Sequence, residues 1–97
     1  MAFTVDEIRR RVIPVAEKYG VKRVMLFGSY ARGEAGASSD VDILIDKGKI
    51  RGLIDYFSFT LDVEEALGCH ADVITTGIED RNFLDSIRQG SVLLYEG

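Results

Sequence analysis

Leu26-Phe27-Gly28-Ser29-Tyr30-Ala31-Arg32-Gly33, followed after a short loop by Ser39-Asp40-Val41-Asp42, is the stretch on which the reading of this chain turns. It predicts a strand running into a glycine–serine turn, one brief polar helical turn stopped by Gly33, and a second strand that opens on two carboxylates. Gly28 has no Cβ and so lets the backbone approach a ligand closely. Ser29 is a favourable helix N-cap, which would gather free N–H groups where an anion could sit. Asp40 and Asp42 lie two residues apart on a strand and so share a face, with Cα atoms roughly 6.6 Å apart. Both carboxylates could then reach one hard cation. A phosphate cradle beside paired carboxylates is the outline of a nucleotidyl-transfer centre.

The strand at residues 22–27 is nearly all apolar and is expected to be buried on both faces. The one at 41–46 alternates, with Val41, Ile43 and Ile45 on one side and Asp40, Asp42 and Leu44 on the other. Residues 71–75 form a third strand, on which Asp72 points away from Ala71 and Val73. Three carboxylates on neighbouring strands would raise one another's pKa values, a penalty that Mg²⁺ or Mn²⁺ removes. A lone D-x-D is more often a turn or cap. Its position after a glycine–serine turn, at a spacing a triphosphate could bridge, favours the metal reading. Arg32 could sit by the same anion or pair with Glu34 at the surface, and Ser39 could cap or orient the Asp40 loop. His70 and Cys69 have no partners that would complete a zinc set, and neither is assigned a role.

Around this centre the chain reads α-β-α-β-α-β-α-β. Thr4 and Glu7 make a capping box for a helix with Val5, Ile8, Val12, Val15, Ala16 and Tyr19 as its apolar positions. Pro14 should kink or split that helix, and Gly20 should end it. Residues 46–49 form a turn. Residues 50–67 form a longer helix with two apolar stripes. Ile50, Leu53, Ile54, Phe57 and Leu61 are assigned to the core. Tyr56, Phe59, Val63, Ala66 and Leu67 either wedge the helix into a cleft of its own domain or face a partner. Residues 79–89 read as a helix with Phe83, Leu84 and Ile87 inward and Gly90 as its stop, and 91–95 as a last strand. The expected fold is α/β (α+β): helices packed on a small mixed sheet, one domain over residues 1–97.

With 97 residues, 46% of them hydrophobic, the chain can hold one modest core but no further acceptor-reading domain. Its net charge of −4 gives no basic footprint, so direct nucleic-acid binding is disfavoured. A single cysteine fits a reducing compartment, and neither a signal-type segment nor a spanning stretch is present, so a cytoplasmic location is expected.

The pattern G-S-x-A-R-G followed by S-D-x-D resembles the nucleotidyltransferase superfamily that includes DNA polymerase beta, and within it the minimal nucleotidyltransferases, or MNT domains. The resemblance runs from the leading helix to Val92-Leu93-Leu94-Tyr95. It implies a mixed sheet with helices on one side. Gly28 and Ser29, with Arg32, would hold the phosphates of ATP, and Asp40, Asp42 and Asp72 would be the catalytic carboxylates binding two Mg²⁺ (or Mn²⁺) ions. It further implies the antitoxin half of a HEPN–MNT toxin–antitoxin pair, moving AMP to a tyrosine of the HEPN RNase. A non-catalytic antitoxin that silences by binding is the alternative, and a small-molecule nucleotidyltransferase ranks behind both. The working unit is left open between a monomer, a homo-oligomer and a hetero-complex.

Overall fold

Thr4 starts the first helix through the reciprocal bonds its sequence predicts. Its hydroxyl accepts from the Glu7 N–H at 3.1 Å, and its own N–H donates to Glu7 Oε1 at 3.3 Å. In the computed structural model, which describes residues 3–36, 39–76 and 81–97 (without the side chains of Phe83 and Leu84), that helix is α1, Val5–Tyr19. It runs through Pro14 without being split. Pro14 is exposed, so the acceptor left unpaired by its missing N–H is on the side where water can reach it. Gly20, at φ 67°, closes the helix by donating its N–H to Ala16 O and Glu17 O.

Seven further elements follow: β1 Arg23–Phe27, α2 Gly28–Arg32, β2 Val41–Asp46, α3 Gly52–Leu67, β3 Ala71–Thr75, α4 Arg81–Arg88 and β4 Val92–Glu96. The four strands form one sheet in the order β3-β2-β1-β4. β1 is antiparallel to both β2 and β4, whereas β2 and β3 are parallel. A parallel neighbour needs a crossover, and α3 supplies it. β1 and β4 pair with a register shift at Val24/Met25.

Helices α1 and α3 cover one face of the sheet. Ile8, Val12 and Ala16 from α1 and Phe59, Val63 and Leu67 from α3 pack on Val24, Leu26, Val41, Ile43 and Ile45. Polar ties fix the helix pair: Tyr19 Oη donates to Asp62 Oδ2 at 2.7 Å, and Arg11 Nη1 donates to the Ala66 carbonyl at 3.1 Å.

The other face is covered only in part. Leu44 is buried there with Ile87 of α4, flanked by the half-buried Met25, Phe27 and Ile74. This corrects two expectations, namely helices on one side only and a β1 buried on both faces. Residues 79–80 and the side chains of Phe83 and Leu84, expected in this helix, lie outside what the structure describes.

A larger correction concerns α3. The stripe assigned to the core is mostly the exposed one, with Leu53 at 70%, Ile54 at 82%, Phe57 at 56% and Leu61 at 64% of full exposure. Only Ile50, which precedes the helix, is buried. Phe59, Val63 and Leu67 of the other stripe form the core, with the Phe59 ring set edge-on to Tyr19 at 5.6 Å. Both stripes have helical spacing, so only the position of α1 decides between them.

Phe59→Ala is expected to lower unfolding free energy by about 3–5 kcal/mol, and Ile54→Ser by no more than about 0.5 kcal/mol. Urea denaturation of both variants reads this out, and equal losses would return the Leu53 stripe to the core.

Candidate active site

Between β1 and α2 the chain reverses at Gly28. Phe27 is still extended, because its pairing with Asp42 continues the sheet to the end of the strand. Gly28 then takes φ +75°, a conformation costly for any residue with a side chain. A Cβ at Gly28 would overlap Asp42 Oδ2 and stand 3.1 Å from Asp42 Cγ. The close approach expected at this glycine is therefore first of all to the protein's own carboxylate.

Ser29, expected as the N-cap, lies inside the first turn of α2; the cap position is Phe27, and no side chain bonds there. The N–H groups at the front of the turn lack intrahelical acceptors. Gly33 ends the turn at φ 74°. Ser39 holds the following loop, accepting from the Gly36 N–H at 2.8 Å.

The parallel register of β2 and β3 sets Asp42 directly beside Asp72. Asp40, just before β2, offers a ligand atom within 4.8 Å of ligand atoms on His70 and Asp72. All three expected carboxylates are thus brought together. Asp42 is half-buried, and its carboxyl is pushed up to about 6 by that burial, by its hydrogen bond with Asp72, and by the charges of Asp72 and Asp40. Arg32 opposes the shift by its charge while it pairs with Glu34 at 3.1 Å, the surface pairing that was one of its two readings.

His70 is the residue the sequence reading left out. Its Nε2 lies 3.0 Å from Asp72 Oδ1 and its Nδ1 lies 2.8 Å from Glu64 Oε2. Its pKa is raised, chiefly by the bond to Asp72. Spacing offered a signal: His70 stands two residues before Asp72, at the period that places strand side chains on one face. Nothing in the sequence marks Glu64.

These groups border a cleft of about 510 Å³ lined by Asp42, Asp72, His70, Phe27, Tyr56 and Phe57. That volume is within the range of small-ligand sites. Converging oxygen donors, one of them with its pKa raised by burial and by its neighbours, are what a hard divalent cation fits.

Sheet, turn and carboxylates together define a nucleotidyltransferase domain. Residues 10–97 match the family described as polymerase beta nucleotidyltransferase, and the chain belongs to that family. It is 45% identical over 71 residues to a Methanocaldococcus jannaschii protein named as a candidate protein adenylyltransferase, covering 73% of this chain and 76% of that one. Against the protein adenylyltransferase MntA of Thermococcus cleftensis it is 41% identical over 58 residues, 60% of this chain and 59% of the relative. The fold also matches a chain in the solved complex of a tri-AMPylated Shewanella oneidensis HEPN toxin with its MNT antitoxin. There the TM-score is 0.74 at 14% identity, over 97% of this chain and 74% of the other. No helix among the described residues is long and apolar enough to cross a membrane.

A carboxyl whose folded pKa is raised from 3.8 to about 6 destabilises the fold as pH climbs through that interval. Asp42→Asn is therefore expected to raise the melting temperature of metal-stripped protein at pH 7.5, with the gain shrinking towards pH 4. A gain that stayed constant between those pH values would show that ionisation of Asp42 is not its source.

Proposed function

We propose that this nucleotidyltransferase is an Mg²⁺-dependent protein adenylyltransferase that moves AMP from ATP to a hydroxyl, a tyrosine's, on a HEPN RNase toxin. It would thereby act as that toxin's cytoplasmic antitoxin, the whole of residues 1–97 serving as one catalytic domain. The observation that carries the reading is the pairing of Asp42 with Asp72 beside the Gly28 turn. The names of the relatives supply the acceptor class and the partner.

In this reading the N–H groups of Gly28 and Ser29 hold the triphosphate, with Arg32 adding charge at the rim. Asp40, Asp42 and Asp72 hold two Mg²⁺ or Mn²⁺ ions, and when bound these neutralise phosphate charge and make the acceptor hydroxyl more acidic. Asp72, whose side chain is 54% exposed, faces the cleft from which an acceptor must enter and takes the hydroxyl proton. The hydroxyl oxygen forms its bond to the α-phosphorus as the bond from that phosphorus to the bridging oxygen breaks, and pyrophosphate leaves. The partner is a protein rather than nucleic acid, consistent with the acidic balance of the chain.

Purified protein is incubated with α-labelled ATP, Mg²⁺ and its HEPN partner, and label is followed on the partner. Asp42→Asn should reduce transfer by roughly 10²–10³-fold, the scale of losing one electrostatic group from a reaction centre. Silencing of the RNase with no label, or by the Asp42→Asn variant, would replace this reading with neutralisation by binding alone.

The exposed α3 stripe meets the cleft at Phe57, which lines it. A toxin seated on Leu53, Ile54 and Leu61 would hold its hydroxyl at the carboxylates. Replacing those three by Ser is expected to abolish co-purification of the toxin while leaving the melting temperature within a few degrees. Retained co-purification would remove the stripe from the interface.

A further inference from the structure

The corner of the site formed by Asp40, His70 and Asp72 differs in kind from a set of carboxylates alone, because one of its three ligand atoms is an imidazole nitrogen. We infer that His70 is a metal ligand of this chain, through Nε2, and that it makes this corner select a first-row transition ion over Mg²⁺. The inference rests on the metal-binding reading of Asp40 and Asp72 given above.

Two observations point the same way. His70 Nε2 and Asp72 Oδ1 stand 3.0 Å apart. That is the edge of an octahedron whose ligands lie about 2.1 Å from its centre, the range of small divalent cations. On its far side the ring is held as metal-bound histidines are held: Nδ1 faces a carboxylate, Glu64 Oε2, at 2.8 Å. With its Nδ1 proton donated to Glu64, the neutral ring presents Nε2 to Asp72, and a cation bound here takes the place of the proton that Nε2 and Asp72 otherwise share.

The backbone beneath the ring is fixed as well. The His70 carbonyl accepts from the Val41 N–H at 3.1 Å, and the Ala71 N–H donates to the same Glu64 oxygen at 3.0 Å. Residue 70 is therefore pinned to the start of β2 and to the last turn of α3 at once. Such anchoring suits a ligand more than a loose surface ion pair, since the imidazole need not be ordered when the cation arrives.

Selectivity follows from donor type. Mg²⁺ takes oxygen ligands and keeps its waters, whereas an imidazole nitrogen favours first-row transition ions. Asp42 is not among the three groups whose ligand atoms converge at this corner, and its carboxylate offers oxygen alone.

The test uses Mn²⁺ as the probe, on the full chain. Electron spin-echo spectroscopy of the Mn²⁺-loaded protein should show modulation from a directly bound imidazole ¹⁴N, and the modulation should vanish in His70→Asn. Titration should show Mn²⁺ affinity falling by about tenfold or more in that variant while Mg²⁺ affinity stays within about twofold. Glu64→Gln, which weakens the hold on Nδ1 but keeps the ring, should retain the modulation with a smaller loss of affinity. Mn²⁺ bound without nitrogen modulation, or equal losses for the two metals, would overturn the inference and leave the carboxylate centre standing. Failure of wild-type protein to bind Mn²⁺ at all would overturn both this inference and the metal-centre reading beneath it.

Discussion

The parallel pairing of β2 with β3 is the constraint on which the rest of the molecule depends. It places Asp42 and Asp72, thirty positions apart in the sequence, side by side at the same end of the sheet. Antiparallel neighbours could be joined by a tight turn, but a parallel pair requires a crossover, so α3 exists as much to set this register as to fill the core. The antiparallel pairing of β1 on the other side of β2 brings Phe27 opposite Asp42 and delivers the Gly28 turn against its carboxylate. The geometry of the carboxylates here is a consequence of strand order. No loop has to close for the carboxylates to meet.

The same register carries a cost. Asp42 is half-buried between two other carboxylates, and its raised pKa records how poorly the protein alone solvates that charge. Elsewhere the fold compensates by ordinary means. Phe59, Ile8 and Leu26 are among the core side chains essentially without solvent contact, Phe59 the largest of those described. Ion pairs such as Lys18–Asp62 are exposed and contribute little to stability, although Asp62 also ties α1 to α3 through Tyr19. Stability is supplied by the face of the sheet that α1 and α3 cover, and the carboxylates sit on the face they leave open. Leu44 shows where that division ends: it points to the carboxylate side yet is buried, because α4 brings Ile87 over it.

Much of this was legible in the sequence because the signals were local. A capping box, a glycine stop, an alternating strand and a D-x-D after a glycine–serine turn each act within a few residues, and each formed close to where its residues predict. Ser29 moved from cap to first turn because the helical turn begins at Gly28, directly after the strand-end residue Phe27 and two positions earlier than a serine cap implies. The α3 stripes could not be resolved locally. Two apolar faces at the same helical spacing are equivalent until α1 docks, and the docking depends on contacts such as Tyr19 with Phe59, forty residues apart. His70 was missed for a related reason. Its isolation from other histidines and cysteines argued against a metal role, whereas its partners are carboxylates contributed by a helix end, a loop and a strand.

The placement of Glu64 joins these threads. It lies in the last turn of α3, where one carboxylate oxygen receives both the His70 ring nitrogen and the Ala71 N–H. The helix that enforces the parallel register thus also grips the residues leading into β3, two positions ahead of Asp72. Along α3, then, Phe59 and Val63 face the core, Leu53, Ile54 and Leu61 face outward, and Glu64 holds the His70 ring beside Asp72. A shift of α3 along the sheet would disturb Glu64 and His70 before it opened the core, since a hydrogen bond at 2.8 Å tolerates less displacement than apolar packing. Glu64 thereby ties the crossover helix to the residues that lead into β3 and Asp72.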